Sequence, residues 1–154
     1  GGDAAAVVGD TEDRATVARR DRGRVAQVVT IGDHHDCRFA QCGEVRLVDL
    51  EPARGSEANK RRPAVIVSND GANGAAMRLG RGVLTVVPVT SNIDHVFPFQ
   101  VLLPAARTGL PRDSKAQAEQ VRAVAVERIG DIVGEIPGDL LAGLDEALRL
   151  HLAL

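Results

Sequence analysis

Three adjacent cations, Lys60-Arg61-Arg62, end a polar loop and lead directly into an apolar, β-branched run. Arginine presents a planar fork of N–H donors that matches phosphate oxygens, and lysine adds a point charge. A cluster of this kind at the start of a strand is suited to gripping a phosphodiester. The formal net charge of the chain is −2, which argues against nucleic-acid binding driven by overall charge. Any such contact is therefore expected to be local.

Aromatic side chains are scarce, because Phe39, Phe97 and Phe99 are the only ones and the chain has no Trp or Tyr. Proteins that hold single-stranded RNA usually stack bases on aromatic faces. The shortage counts against that class of protein, although arginine planes and His95 can also stack on bases.

Short strands are the elements that would position the cations. Residues 45–50 predict a first strand, and the apolar run 64–68 predicts a buried second strand that opens at Pro63. Residues 83–90 show the strongest strand pattern. Pro88 within that run predicts an edge or a bulge, because proline cannot donate to the ladder.

The remaining pattern is mixed. Residues 69–74 are typical of a turn, with one helical turn after them through residue 79, and residues 99–103 predict another strand. In residues 114–127, propensity favours a helix at the start while period-two alternation favours a strand, so both remain open.

A C-terminal helix is indicated from Pro137 and Asp139 onwards, since leucines recur every four residues at Leu140, Leu144, Leu148 and Leu152. Several short strands closed by one amphipathic helix predict a mainly β fold with some α, built as a small twisted antiparallel sheet or half-open barrel.

The chain of 154 residues suits one domain. Residues 1–41 show no sustained period and carry balanced charges, so we expect a dispensable leader, disordered or from a misplaced gene start. The domain would be 42–154. Without a secretory signal or an apolar run long enough to span a bilayer, the protein is expected in the cytoplasm, with no membrane partner.

A metal site is not expected. His34-His35-Asp36-Cys37 and Cys42 offer ligand types, but adjacent histidines have the wrong spacing for a zinc finger. Two cysteines also do not indicate a disulfide framework. We therefore expect no cofactor.

Five short motifs occur in one order between Gly43 and the end of the chain, and together they resemble the MazF/PemK family of toxin endoribonucleases. They are Gly55-Ser56-Glu57, Arg62-Pro63, Pro88-Val89-Thr90-Ser91, Leu110-Pro111-Arg112-Asp113-Ser114 and Glu119-Gln120-Val121-Arg122. The resemblance implies an SH3-like barrel with a C-terminal helix, a homodimer that cleaves single-stranded mRNA independently of the ribosome, and neutralisation by a cognate antitoxin. Operator DNA would be bound only through the antitoxin complex. In this reading the segment 114–127 is a strand.

The resemblance also implies metal-independent cleavage in which the ribose 2′-OH attacks the adjacent phosphorus. Arg62 and Thr90 occupy the catalytic positions, as an electrostatic clamp and a hydroxyl donor respectively. Without the resemblance, Arg62 would be read as an exposed charge and Thr90 as an ordinary strand residue. No general base is identified. The residues expected to hold the RNA are Arg54, Gly55, Ser56, Glu57, Lys60, Arg61, Ser91, Asp113, Ser114 and Lys115.

One departure stands out, because Arg46 occupies a position where the family commonly has an aromatic residue. Either Arg46 points outward or the first strand is weakened.

Two alternative functions remain open. A gyrase-inhibiting toxin resembling CcdB has the same fold but depends on a C-terminal tryptophan that this chain lacks. A degenerate homologue would bind its antitoxin without cutting RNA.

Overall fold

A computed structural model describes residues 40–154 in full and, before them, the backbones of three strands. These strands are Ala6–Asp10 (β1), Arg14–Asp21 (β2) and Arg24–Thr30 (β3). They form an antiparallel sheet in the order β1-β2-β3, where the sequence pattern showed no sustained period. The contacts divide the chain into two units, residues 1–38 and 39–154. That the leader is dispensable stays a prediction.

The cluster His34-His35-Asp36-Cys37 lies outside the described residues, and so does Phe39.

Seven antiparallel strands and three helices make up the second unit. The strands are Glu44–Asp49 (β4), Arg61–Ile66 (β5), Val83–Thr90 (β6), Gln100–Leu103 (β7), Ser114–Gln117 (β8), Arg122–Ala125 (β9) and Ile129–Glu135 (β10). The helices are Asp70–Leu79 (α1), Ala105–Thr108 (α2) and Gly138–Leu152 (α3). The sheet runs in the order β10-β4-β5-β6-β8-β7, and β9 also pairs with β6. The prediction of a mainly β fold with a C-terminal helix is confirmed.

Strand β5 begins earlier than the sequence indicates. Arg61 pairs with Asp49, so two of the three cations lie within the strand instead of the loop before it. Pro63 is accordingly the third residue of the strand and not its first. Its missing N–H is tolerated because the paired register with β6 starts only at the next residue, Ala64.

Pro88 lies in the middle of the sheet, so the predicted edge position is wrong. It is fully buried and pairs with Ala64 on the β5 side. On its other side β6 changes partner, since Val83–Val86 pair with β9 whereas Val89 and Thr90 pair with β8. Proline fits at this interruption because no ladder partner there requires its N–H.

The turn expected at residues 69–74 is the beginning of α1. Asn69 is the N-cap, with its side-chain oxygen accepting from the N–H of Ala72 at 2.9 Å. Gly80, with φ of +63°, ends the helix. Asn and Gly favour caps as well as turns, which is why the pattern was ambiguous.

The segment 114–127 is neither one helix nor one strand. Strands β8 and β9 are separated by a 3-10 turn at Ala118–Gln120. Strand β10 was not predicted, because Gly130 and Gly134 interrupt its apolar residues. A Cβ at Gly134 would lie 2.6 Å from the carbonyl oxygen of Thr108. Glycine is therefore present because neighbouring backbone approaches closely.

Arg46 does not point outward. It is only 7% exposed, its Nε donates to Glu44 Oε2 at 2.8 Å, and its Nη1 donates to the Gly130 carbonyl at 3.2 Å. The remaining nitrogen, Nη2, is buried without a partner among the described residues. Strand β4 is complete, but its pairing with β10 is irregular on both sides of Ile132, the residue opposite Arg46.

The core consists of two clusters of buried apolar side chains. Ile66, Leu84 and Val86 belong to one, and β-strand side chains pack with Leu144 and Ala147 of α3 in the other. The predicted leucine stripe docks only in part, since Leu152 at the end of α3 is 50% exposed. Within the described part of the chain, no helix has the length and apolar character needed to cross a membrane.

Candidate functional site

A cleft of about 330 Å³ opens where β5, β6 and the segment before β8 meet. It is lined by Lys60, Arg61, Arg62, Pro63, Val89, Thr90, Ser91, Leu110, Pro111, Arg112 and Ser114. Four of these residues are cations, and none of the lining residues is acidic. The cleft is therefore a local positive site on a chain of slightly negative net charge, and it is suited to an anion.

Arg62 is half-buried and held along one edge of its guanidinium. Its Nε donates to the carbonyl oxygen of Asn59 at 2.7 Å, and its Nη2 donates to Asn59 Oδ1 at 3.0 Å. Both acceptors are uncharged. Among the described residues Nη1 has no partner, so the fixed guanidinium keeps its positive charge and a donor pair for a ligand.

Thr90 lies at the end of β6, next to Arg62 on β5. The two strands pair with Ala64 opposite Pro88, and continuing that register by two residues brings Arg62 level with Thr90. Both side chains line the cleft. Thr90 Oγ1 accepts from the N–H of Asn92 at 3.3 Å, which leaves the hydroxyl hydrogen available for donation.

The loop before β5 is fixed by hydrogen bonds instead of lining the cleft. Glu57 Oε2 accepts from the N–H of Arg54 at 2.9 Å. The side-chain amide of Gln120 donates to the carbonyl of Ser56 at 3.0 Å and accepts from the N–H of Ala58 at 3.0 Å.

The expected contact residues Arg54, Gly55, Ser56 and Glu57 thus lie outside the cleft lining. Lys60 does line it, and its backbone has a left-handed φ of +63°. This conformation costs energy in a residue other than glycine.

The residues expected after β6 separate into two groups. Ser91 and Ser114 line the cleft. Asp113 instead accepts from the N–H of Ala105 at 2.8 Å and so caps α2. Lys115 is buried, with its ammonium donating to the carbonyl oxygen of His95. The structure therefore gives Asp113 and Lys115 positioning contacts and does not bring them into the lining.

Two residues of the site were missed. Arg112 lines the cleft and could have been found, because it is a cation inside one of the quoted motifs. Asn59 fixes Arg62, but an asparagine in a polar loop carries no signal of that contact. Neither was selected from the sequence.

The described residues contain no group of three or more His, Cys, Asp or Glu side chains placed to share a metal ion. Cys42 is half-buried, and burial followed by the charges of Asp70 and Asp145 raises the pKa of its thiol to about 11. At neutral pH this thiol is protonated and a poor nucleophile.

An antiparallel sheet with a cationic cleft at the ends of two strands places the chain in the class of small β-sheet domains with a site suited to an anion. Residues 41–152 match the model of the PemK-like, MazF-like toxins of type II toxin-antitoxin systems. The match covers most of the chain, which therefore belongs to that family.

Curated relatives agree with this family assignment. Endoribonuclease MazF9 of Mycobacterium tuberculosis is 65% identical over 112 residues, which are 73% of this chain and 95% of that protein. Endoribonuclease EndoA of Bacillus subtilis is 33% identical over 113 residues, covering 73% and 93% of the two chains. The family match and these relatives disfavour the gyrase-inhibiting alternative.

Solved structures agree with the fold. The crystal structure of MazF from Deinococcus radiodurans has a TM-score of 0.61 at 27% identity and covers 75% of this chain and 98% of that one. A MazE-MazF complex from the same organism has a TM-score of 0.58 at 25% identity, covering 75% and 97%. The expected fold class is therefore confirmed by comparison as well.

Proposed function

We propose that this chain is a toxin that cleaves single-stranded RNA at specific sequences, without the ribosome and without a metal ion. The single observation that carries the proposal is the meeting of Arg62 and Thr90 in one cationic cleft. The endoribonuclease names of relatives in this family support the reaction class.

The chemistry follows from what the two side chains can offer. The substrate's 2′-OH oxygen attacks the adjacent phosphorus, so that an O2′–P bond forms as the P–O5′ bond breaks. Arg62, with Nη1 unpartnered among the described residues, stabilises the negative charge on the phosphoryl oxygens. Thr90 donates its hydroxyl hydrogen to one of the same oxygens. The products are a 2′,3′-cyclic phosphate and a 5′-hydroxyl.

Two protons must move in this reaction, one from the 2′-OH and one to the departing O5′. Arginine stays protonated in proteins, so Arg62 serves first as a clamp and can also supply the second proton. None of the described lining residues is a carboxylate or an imidazole. No general base is therefore assigned among the lining residues.

The other residues of the cleft hold the RNA backbone. Lys60 and Arg112 bring further charges to the same cleft, and contacts of this kind position a nucleic acid without reading its sequence. Arg61 also lines the cleft, but its guanidinium lies against Gly130 of β10. Ser91 and Ser114 add hydroxyl groups at the edge.

We further propose that the toxin forms a homodimer and is neutralised by a cognate antitoxin, with operator DNA bound only through that complex. The MazE-MazF complexes of Deinococcus radiodurans support an antitoxin partner. A toxin that cuts mRNA would act in the cytoplasm, where its substrate lies.

The test uses the full chain and a long RNA on which the cut positions are first mapped. Cleavage is expected to be unchanged in EDTA and to leave 2′,3′-cyclic phosphate ends. An RNA with 2′-deoxyribose at the mapped cut position should bind but remain intact, because the phosphate contacts survive and the nucleophile is gone. Cleavage of that substrate, or loss of activity in EDTA, would replace this mechanism with attack by water. A wild-type protein that binds RNA and never cuts it would be the degenerate homologue.

A further inference from the structure

The face of the sheet that carries Thr90 continues past the cleft to an exposed apolar side chain. Thr90 is opposite Lys115, and Lys115 is opposite Leu102 on the next strand. Residues directly opposite one another place their side chains on the same face. This row of three side chains, Thr90, Lys115 and Leu102, begins near Arg62. It ends at Leu102, which is 43% exposed.

The segment between β6 and β7 is tied to this same face by two side chains. Gln100, two residues before Leu102 and so on its face, accepts from the N–H of Phe97 at 3.2 Å. Gln100 is itself held by Glu119 Oε1 at 2.6 Å. The Lys115 ammonium donates to the carbonyl oxygen of His95. The backbone of the segment is therefore fixed at His95 and Phe97, two of the three residues that carry its rings.

Phe97 presents an aromatic ring from this fixed segment. Its inner face stacks on Phe99, with centroids 5.3 Å apart and planes within 8°. The ring of His95 is tilted by 31° to that of Phe97, with the two centroids 6.4 Å apart. Phe97 remains 50% exposed, although the chain has only three phenylalanines that could contribute to its core. An aromatic ring that is both held in place and exposed is a preorganised stacking surface.

We propose that Phe97 is a stacking site for a nucleobase of the RNA whose phosphate Arg62 holds. The inference rests on the proposed function and names a subsite for it. It also supplies what the cleft itself lacks, because no aromatic residue is among the described residues that line it.

Charge favours RNA over a protein as the occupant. The segment leaves the cleft at Ser91, so the apolar surface continues a site with four cations and no carboxylate in its lining. The segment between Ser91 and Phe97 also carries the exposed Asp94. The cations of the cleft, and not this segment, would therefore hold the polyanion whose base reaches the aromatic face. The distance is short, since one lysine side chain spans from the strand residue opposite Thr90 to the carbonyl of His95.

The test measures the affinity of the full chain for an RNA that carries 2′-deoxyribose at the cut position. Phe97→Ala and Phe97→Leu are expected to weaken binding about tenfold, while Phe97→Tyr, which keeps the ring, should bind like the wild type. A series of RNAs with one abasic nucleotide, moved along the strand, then locates the base. At one position the wild type should lose the same factor, and Phe97→Ala should add little to that loss.

The matched control is Ile132→Ala on β10, at the opposite edge of the sheet from β7 and similarly exposed at 47%. It should bind every RNA as the wild type does. The inference is overturned if Phe97→Ala also binds like the wild type, or if its loss is equal on all abasic substrates. It is equally overturned if light scattering shows that Phe97→Ala changes only the oligomeric state, since the face would then contact a second copy. A wild type that neither binds nor cuts RNA would defeat the proposed function as well.

Discussion

Arg46 and Arg62 lie on adjacent strands of one sheet, yet the groups that accept their hydrogen bonds differ in charge. Arg46 is buried and donates to the carboxylate of Glu44, with side chains only 8% and 12% exposed. Arg62 is half-buried, and the acceptors in its contacts are the carbonyl and amide oxygens of Asn59. The charge of Arg46 is compensated by Glu44 within the fold, whereas the charge of Arg62 remains available to a ligand.

The difference teaches how an arginine becomes a site. A buried cation needs an anionic partner because desolvation is costly. A cation that must bind a phosphate is better fixed by neutral acceptors, which orient the guanidinium without neutralising it. Four alanine substitutions, with companion variants at three of them, test this contrast.

The largest effect is expected for Arg62→Ala. Cleavage should fall by about 100-fold to 1,000-fold, because one preorganised donor to the transition-state charge is lost, while the free energy of unfolding changes little. Arg62→Lys should be impaired too, since lysine lacks the fork. Single-turnover cleavage and urea unfolding measure the two properties. Wild-type cleavage by Arg62→Ala would refute the assignment of this cleft.

Arg46→Ala should show the opposite pattern, with stability lost first. Removing one partner leaves the Glu44 carboxylate buried and unpaired, at an expected cost of about 3 kcal/mol in the free energy of unfolding. The double variant Glu44→Gln/Arg46→Met removes both charges and should recover much of that loss. Urea unfolding measures both variants. An Arg46→Ala protein as stable as the wild type would show that the pair contributes nothing.

Asn59→Ala should have an intermediate effect, because it removes the side-chain acceptor of Arg62 Nη2 and leaves only the backbone carbonyl to hold the guanidinium. We expect cleavage to fall roughly tenfold to 100-fold, as misplacement of a reacting group by about an ångström can do. Asn59→Asp is the informative comparison, since it keeps an acceptor but introduces a compensating charge beside Arg62. If Asn59→Asp cleaves as well as the wild type, the neutrality of the partner is irrelevant and the contrast with Arg46 fails.

The smallest effect is expected for Arg107→Ala. Arg107 makes two hydrogen bonds to Asp139, at 2.8 and 2.6 Å, between α2 and the first turn of α3. The hydrogen bond from Arg107 holds the pKa of Asp139 below its usual value. The pair can therefore stabilise the fold only above the carboxyl's unfolded pKa, and that contribution is lost as pH falls through the lowered folded pKa.

Both side chains of this pair are largely exposed, so water screens the interaction. Thermal unfolding of Arg107→Ala at neutral pH should match the wild type within error. A clear loss there, absent at strongly acidic pH, would show that exposure does not separate this pair from Glu44 and Arg46.

The local sequence pattern was sufficient to predict much of the fold. The apolar run in β6 and the leucine repeat of α3 are carried by neighbouring residues, so the period of the sequence reports them directly. Strand β10 was not predicted because its glycines are explained by residues distant in sequence. Arg61 and Leu47 lie close to Gly130, and Thr108 lies close to Gly134. Pro88 predicted an edge or a bulge for a similar reason, because the change of strand partner beside it is a property of the sheet.

The sequence by itself determined the cations Lys60, Arg61 and Arg62, the order of the motifs and hence the resemblance to a toxin family. Only the tertiary structure decided which residues meet. In the folded chain Arg112 lines the cleft, the Lys115 ammonium donates to the carbonyl oxygen of His95, and Arg62 donates to Asn59. The physical reason is that residue type sets which chemistry is available, whereas contacts between residues far apart in sequence depend on strand register and packing.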